Sequence, residues 1–225
     1  MTSDFVHPSN NSFIEGIDAF PAYIYKSKFD FKFNTFRDKV EQYISDVRKL
    51  RIEKNYKDPE QGDAATGVHY NFDKDQGWEP PHKWEEFSDF KNFIHMCIPE
   101  ILFEWYGYKF DHKALVDKSW INEHKKGGWT ESHHHQNSNI SIAAYLDVPP
   151  NSGRFLVENP LKGFKSSEPL SNANLIWGPI DVETNDILFF PGWMTHKTEE
   201  NKSNDSRYVL SINLNLDHMI KGDPL

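Results

Sequence analysis

Apolar residues in the first half of the chain recur at steps of three and four, the spacing that turns one face of a helix toward a core. A first helix is predicted to begin at a polar cap, Asn34 or Thr35, and to end near Ile52. Its apolar face consists of Phe36, Val40, Tyr43, Ile44, Val47 and Leu50. We expect this face to pack against the rest of the protein.

A second helix is predicted over residues 84–106, where apolar and aromatic residues follow the same spacing. Pro99 predicts a kink or a break in this helix, because proline removes a backbone hydrogen bond, and Gly107 is placed to end it. Residues 20–25 predict a short strand. Residues 55–81 are rich in Gly, Asp, Lys and Pro and predict a loop.

After about Leu115 the pattern changes to short apolar runs separated by turn residues, which is typical of antiparallel strands. The predicted strands are Ser119–Asn122, Ile140–Val148, Arg154–Val157, Ile187–Phe190 and Tyr208–Leu216. This spacing predicts a sandwich or barrel with the helices against one outer face of its larger sheet. We therefore expect a fold that is mainly β with flanking helices (α+β), in a single domain 1–225. Residues 1–115 would support a core at 116–218.

Two connections in this half carry distinct signals. Residues 149–153 (PPNSG) predict a tight turn. Residues 163–174 show no periodicity and predict a long loop, either a binding loop or a solvated connection.

The last predicted strand alternates between polar and apolar residues. From Arg207 to Leu216 the even-numbered positions are aromatic or aliphatic, whereas the odd-numbered ones include Arg207, Ser211, Asn213 and Asn215. Successive side chains on a strand point to opposite faces, so one face carries a guanidinium, a hydroxyl and two amides. That polar face either meets water or lines the mouth of a barrel.

Composition limits the classes of partner. The formal net charge of −9 at pH 7 argues against a general nucleic-acid binder and against docking to anionic membranes. No run of about 18 apolar residues is present, and the N-terminal residues lack a signal-peptide pattern. Cys97 is the single cysteine, which excludes an internal disulfide and suits a reducing compartment. We therefore expect a cytoplasmic protein.

The candidate chemistry lies in the run of three histidines at 133–135 and in His196, which follows a buried-strand pattern at 187–191. On an extended backbone, His133 and His135 point the same way, about 6 to 7 Å apart, and His134 points the opposite way. Neutral imidazole suits Fe(II), Zn(II), Cu(II) and Ni(II). His133, His135 and His196 are therefore candidate ligands of one metal ion.

Two alternatives stay open from the residues alone. A bulged backbone would exchange His135 for His134, and Asn137 is a possible oxygen donor.

His124 lies in a Lys- and Gly-rich turn and is predicted to be solvated. The remaining histidines have no partner at ligand spacing, namely His69, His82, His95, His112 and His218. Candidates for lining a substrate pocket, or for packing, are Trp129, Trp177 and Trp193.

Two blocks of the sequence resemble the 2-oxoglutarate/Fe(II)-dependent oxygenases of bacteria and their phages. The first block comprises Ser119-Trp120-Ile121-Asn122, Gly127-Gly128, His133-x-His135-x-Asn137-Ser138 and Tyr145-Leu146. The second comprises Phe189-Phe190-Pro191-Gly192-Trp193-Met194-Thr195-His196, Arg207 and Ser211-Ile212-Asn213. Three positions depart from many relatives: His135 stands where a carboxylate is usual, Gln136 where a proline is usual, and Val209 where a small or polar residue is usual.

The resemblance implies a double-stranded β-helix core that uses Fe(II), 2-oxoglutarate and O2. By motif position, the metal ligands would be His133, His135 and His196, and the 2-oxoglutarate-binding residues would be Arg207, Ser211, Tyr145 and Asn122. Arg207 would hold the distal carboxylate, since a guanidinium can bind a carboxylate with two parallel hydrogen bonds. The expected reaction is hydroxylation of a small-molecule or peptidyl substrate, with succinate and CO2 as coproducts, in a bacterial or phage-infected cell.

Two other classes also fit the histidines. One is a cupin-like three-His metalloenzyme that does not use 2-oxoglutarate. The other is a non-catalytic binding or structural module that keeps the barrel. Metal content and 2-oxoglutarate binding separate the three classes.

Overall fold

The computed structural model describes residues 23–55, 59–68, 79–106, 114–163, 175–216 and 223–224. Within these residues, antiparallel strands form one larger and two smaller sheets, and two long helices precede most of them. The predicted class, mainly β with flanking helices, is confirmed. The predictions for residues 20–22, Gly107 and the 164–174 part of the long loop lie outside the described residues, as do His69, His112 and His218.

Helix α1 spans Arg37–Lys54 and buries the predicted apolar face. The predicted cap is wrong, since Asn34 and Thr35 belong to a 3-10 turn, Phe33–Thr35, that precedes the helix. The Thr35 hydroxyl donates to the Lys32 carbonyl instead, at 2.9 Å. Because the Thr35 hydroxyl is bonded within the turn, it does not cap the helix.

Helix α2 spans Ser88–Tyr106, starting later than predicted because residues 81–83 and 85–87 form two 3-10 turns. The helix continues through Pro99 without a break. Trp84 and Phe87 are nevertheless buried, as the predicted stripe requires. Among the described helices, none is long and apolar enough to cross a membrane.

The larger sheet contains most of the strands that the sequence predicted, with their ends shifted by a few residues. Its described members are β1 (Tyr25–Lys28), β3 (Ala64–Thr66), β4 (Ala114–His124), β6 (Ile140–Asp147), β9 (Asp186–Pro191), β11 (Arg207–Leu216) and β12 (Asp223–Pro224). The order is β1-β9-β6-β11-β4-β12, with β3 beside the other end of β4. The strand predicted at 20–25 is displaced to β1, which pairs with β9.

The smaller sheets cover one face of the larger one. They consist of β7 (Phe155–Glu158), β8 (Trp177–Ile180) and β10 (His196–Thr198), in the order β10-β7-β8, and of the pair β2 (Glu60–Gln61) and β5 (Trp129–Thr130). The loop predicted at 55–81 is therefore wrong at β2 and β3. These strands are two and three residues long and pair with distant segments. No local alternation of polar and apolar residues therefore predicts them.

Strand β11 lies between β4 and β6 and separates two cores. Its even-numbered residues join the main core against helices α1 and α2. Its odd-numbered residues face the other way, where Val209 joins a smaller core with Tyr145, Phe155 and Phe190. All ten residues of β11 are buried, so the polar face lines the interior of the protein rather than meeting water.

Candidate metal and cosubstrate site

The histidine run lies in the segment between β5 and β6, not within a regular strand, which corrects the expectation of one strand carrying the pair. Backbone hydrogen bonds hold this segment against the residues around His196. His133 N–H donates to the His196 carbonyl at 3.0 Å, and His196 N–H donates back at 2.9 Å. The chain still alternates, since His134 is exposed whereas His133 and His135 are partly buried.

Three imidazole rings converge in this place. His133, His135 and His196 each offer one nitrogen, and these nitrogens all lie within 4.8 Å of one another. The ring centroids are 4.3 Å apart for His133 and His196, 5.0 Å for His135 and His196, and 5.2 Å for His133 and His135. His134 stands outside this cluster, which could hold a metal ion.

Hydrogen bonds at Nδ1 determine which ring nitrogen is available. His133 Nδ1 lies 2.9 Å from the Glu131 carbonyl and His196 Nδ1 lies 2.9 Å from the Met194 carbonyl. A carbonyl only accepts, so both Nδ1 atoms carry the proton. His135 Nδ1 contacts Ser141 Oγ at 2.7 Å, and that hydroxyl donates onward to Asn213 Oδ1 at 3.1 Å. The lone pair of every ring is therefore at Nε2.

The surroundings keep the three rings neutral. Burial lowers the pKa of His133, and it lowers the pKa of His135 to about 3. Burial also lowers the pKa of His196 well below its usual value, and the neighbouring His133 and His135 add to the effect. Neutral imidazole is the form that binds metal. The cluster therefore fits a borderline divalent cation such as Fe(II).

A cavity of about 510 Å³ opens beside the three histidines. Three of the predicted 2-oxoglutarate-binding residues, Asn122, Tyr145 and Ser211, line it. Asn122 Nδ2 donates to Ser211 Oγ at 3.1 Å, whereas Asn122 Oδ1 is buried without a partner among the described residues. Burial raises the pKa of Tyr145, whose phenol therefore stays protonated at neutral pH.

Arg207 is the most deeply buried cation of the site, 1% exposed. Its Nη1 donates to the carbonyls of Ser152 (2.7 Å) and Gly153 (2.9 Å), and its Nη2 donates to His124 Nδ1. Its Nε has no partner among the described residues. His124 lines the cavity, so Arg207 is fixed directly behind the cavity wall.

Sequence reasoning missed a buried polar cluster formed by Glu60, His124 and Thr130. The prediction that His124 is solvated is wrong, because it ends strand β4 at 2% exposure and bonds to Glu60 through Nε2 at 2.8 Å. Thr130 Oγ1 donates to the same carboxylate at 2.9 Å. The alternation of β4 carried a usable signal, since His124 is two positions after Asn122 and shares its face. Glu60 gave no such signal.

None of the three tryptophans proposed for the pocket lines this cavity within the described residues. The Trp177 ring lies under the Lys197 ammonium, 4.2 Å from its centroid, and Trp193 is 52% exposed. Trp129 lines a separate surface groove. Trp120 lines the cavity instead, 5.7 Å from the His135 ring between centroids.

A protein-family model matches the part of the chain that carries this site. Residues 118–213 match the family model described as "Putative 2OG-Fe(II) oxygenase". This match covers less than half of the chain, and the matched segment is similar to the 2OG-Fe(II) oxygenases. The family implies Fe(II), 2-oxoglutarate and O2 as cofactor and cosubstrates, as the sequence predicted. No curated protein sequence matches this chain.

Solved structures confirm the predicted double-stranded β-helix. The chain is similar to viral collagen prolyl hydroxylase from Paramecium bursaria Chlorella virus-1, with a TM-score of 0.50, 12% identity, and coverage of 85% of this chain and 95% of that one. It is also similar to HygX from Streptomyces hygroscopicus, with a TM-score of 0.51, 9% identity, and coverage of 91% and 92%. A 2OG-Fe(II) oxygenase family protein from Burkholderia pseudomallei matches at a TM-score of 0.41 and 12% identity, over 56% of this chain and 53% of that one.

Proposed function

We propose that His133, His135 and His196 hold the Fe(II) ion and that the enzyme hydroxylates a peptidyl or small-molecule substrate. The observation that carries this assignment is the convergence of three Nε2 lone pairs, each fixed by a hydrogen bond at Nδ1. Partners of this kind orient metal-binding rings in proteins generally. With iron and 2-oxoglutarate bound, the site would use O2 to form hydroxylated product, succinate and CO2.

The all-imidazole ligand set has an electrostatic consequence for cosubstrate binding. Three neutral ligands leave the full charge of a divalent cation, whereas a carboxylate in place of His135 would cancel one unit. A dianion such as 2-oxoglutarate compensates that charge when it binds. His135 therefore favours occupancy of the metal by an anionic cosubstrate.

Arg207, Tyr145, Ser211 and Asn122 are proposed to hold 2-oxoglutarate. Arg207 supplies the cation for the distal carboxylate. Its Nε–H, which has no partner among the described residues, is a donor that a carboxylate would satisfy. Tyr145 is close enough that Arg207 opposes the rise in its pKa. Ser211 and Asn122 present hydrogen-bonding groups on the wall of the cavity that the three histidines also line.

The substrate is proposed to enter the same cavity beside Trp120, where Asp117, Lys118 and Gln136 also contribute to the lining. This mixed-charge lining and the net charge of −9 favour a peptide or small molecule over a nucleic acid. The unpaired Cys97 thiol suits a reducing compartment, and we place the enzyme in the cytoplasm.

Replacement of one ligand tests the metal assignment. His196→Ala is expected to remove stoichiometric Fe(II) binding under anaerobic conditions, and with it the succinate formed from 2-oxoglutarate in the uncoupled reaction. His134→Ala is the matched control, since His134 is exposed and outside the cluster. It is expected to keep its iron. Equal iron content in the two variants would contradict the assignment.

A further inference from the structure

A chain of buried polar groups connects Arg207 to Glu60 through His124. His124 Nε2 lies 2.8 Å from Glu60 Oε2, and Arg207 Nη2 bonds to His124 Nδ1. All three residues are at most 4% exposed. Glu60 comes from β2, His124 from β4 and Arg207 from β11, so three separate segments meet here.

The direction of each hydrogen bond follows from the chemistry of arginine. A guanidinium only donates, so His124 Nδ1 must be the acceptor and Nε2 must carry the proton. That N–H donates to the Glu60 carboxylate, which also accepts from Thr130. Burial lowers the pKa of His124, which keeps the ring neutral and preserves this arrangement.

The arrangement leaves part of Arg207 free for a ligand. Of its five N–H groups, three hydrogen bonds are made within the protein, two from Nη1 to carbonyls and one from Nη2 to His124. In the described part of the chain, Nε and the second Nη2 hydrogen have no hydrogen-bond partner. A direct Arg–Glu pair would occupy the guanidinium fork with a protein carboxylate. The intervening imidazole instead keeps the counter-charge of Glu60 nearby without using these donors.

We propose that Glu60 and His124 position Arg207 for the distal carboxylate of 2-oxoglutarate. The inference rests on the proposed role of Arg207 as the group that binds this carboxylate. Glu60 and His124 do not touch the cosubstrate in this scheme. They fix the guanidinium orientation and balance its buried charge, which makes them positioning residues.

The test compares two ligands that differ only at the distal end. 2-Oxopentanoate carries a methyl group where 2-oxoglutarate carries its distal carboxylate. Dissociation constants of both are measured anaerobically on the Fe(II)-loaded enzyme by calorimetry. The ratio of the 2-oxopentanoate constant to the 2-oxoglutarate constant reports the distal contact alone. Loss of a charge-assisted hydrogen bond of Arg207 is expected to lower that ratio about tenfold or more.

Two substitutions at position 124 separate positioning from general structure. His124→Leu is expected to lower the ratio, whereas His124→Gln is expected to restore most of it, because an amide can accept from Arg207 and donate to Glu60. Fe(II) affinity should stay close to that of the unsubstituted enzyme in both. If His124→Leu does not fold, Glu60→Leu and Glu60→Gln make the same comparison at the other end of the chain of groups.

Arg207→Met shows which proposal fails. A lowered ratio in Arg207→Met with an unchanged ratio in His124→Leu would overturn the positioning role and leave the proposed cosubstrate site intact. An unchanged ratio in Arg207→Met would overturn the role of Arg207, and the inference with it. Parallel weakening of both ligands in His124→Leu would also overturn the inference, since that pattern reports structural damage.

Discussion

At the scale of single residues, hydrogen bonds at Nδ1 fix the orientation of the three histidine rings. Two Nδ1 atoms are held by backbone carbonyls, which no side-chain substitution can remove. His135 alone relies on a side chain, Ser141, which is fully buried and in turn bonded to Asn213. Among the three rings, His135 is thus the one whose Nδ1 partner a side-chain substitution can remove.

Ser141→Ala is therefore expected to weaken Fe(II) binding without unfolding the protein. Loss of such a partner typically lowers metal affinity by about 10- to 100-fold, because the ring and its tautomer are no longer fixed. Anaerobic titration with Fe(II) gives the affinity and thermal melting checks the fold. Ser132→Ala, an exposed serine in the same segment, is the control. Identical affinities in the two variants would show that Ser141 does not orient His135.

At the scale of elements, the site depends on the contact between the histidine segment and the turn after β9. A Cβ at Gly192 would lie 2.1 Å from the Ser138 carbonyl oxygen and 2.9 Å from the His135 carbonyl oxygen. His135 N–H also donates to the Gly192 carbonyl at 2.8 Å. The absence of a side chain at Gly192 therefore lets the two segments approach closely enough for His196 to meet His133 and His135.

Gly192→Ala is expected to push the histidine segment away and to lower Fe(II) affinity at least about tenfold. Since the clash is with backbone, a rotamer change cannot relieve it, and some loss of thermal stability should accompany it. Gly163→Ala is the matched control, because a Cβ there meets nothing within 4 Å. Calorimetric titration with Fe(II) measures the effect, and wild-type affinity in Gly192→Ala would refute this reading of the contact.

At the scale of the whole molecule, the sequence predicts whatever repeats locally and misses what depends on distant partners. The stripe on α1 and the two faces of β11 follow directly from spacing. The partner of His124 does not, because Glu60 is 64 positions away and comes from a strand of two residues. The predicted cap of α1 is wrong for a local reason, since the Thr35 hydroxyl bonds within the preceding turn.

The buried histidines make the stability of the metal-free protein depend on pH. Burial lowers the pKa of His124, His133, His135 and His196 below the ordinary value of 6.5. The unfolded chain therefore binds more protons than the folded one once the pH falls below about 6.5, and stability falls with it. The stabilising contribution of neutral rings is fully present above pH 6.5 and is lost progressively toward the folded pKa, about 3 for His135.

His196→Gln isolates one of these contributions. At pH values well below 6.5, each such histidine contributes a slope of up to about 1.4 kcal/mol per pH unit to the free energy of unfolding. We expect the variant to lose less stability than the unsubstituted protein between pH 7.5 and 5.5, measured by denaturant unfolding with a metal chelator present. Carboxylates with lowered pKa, such as Glu86 and Glu199, contribute below their ordinary value of 4.5, outside this window. Equal slopes would mean that His196 is not buried as a neutral ring.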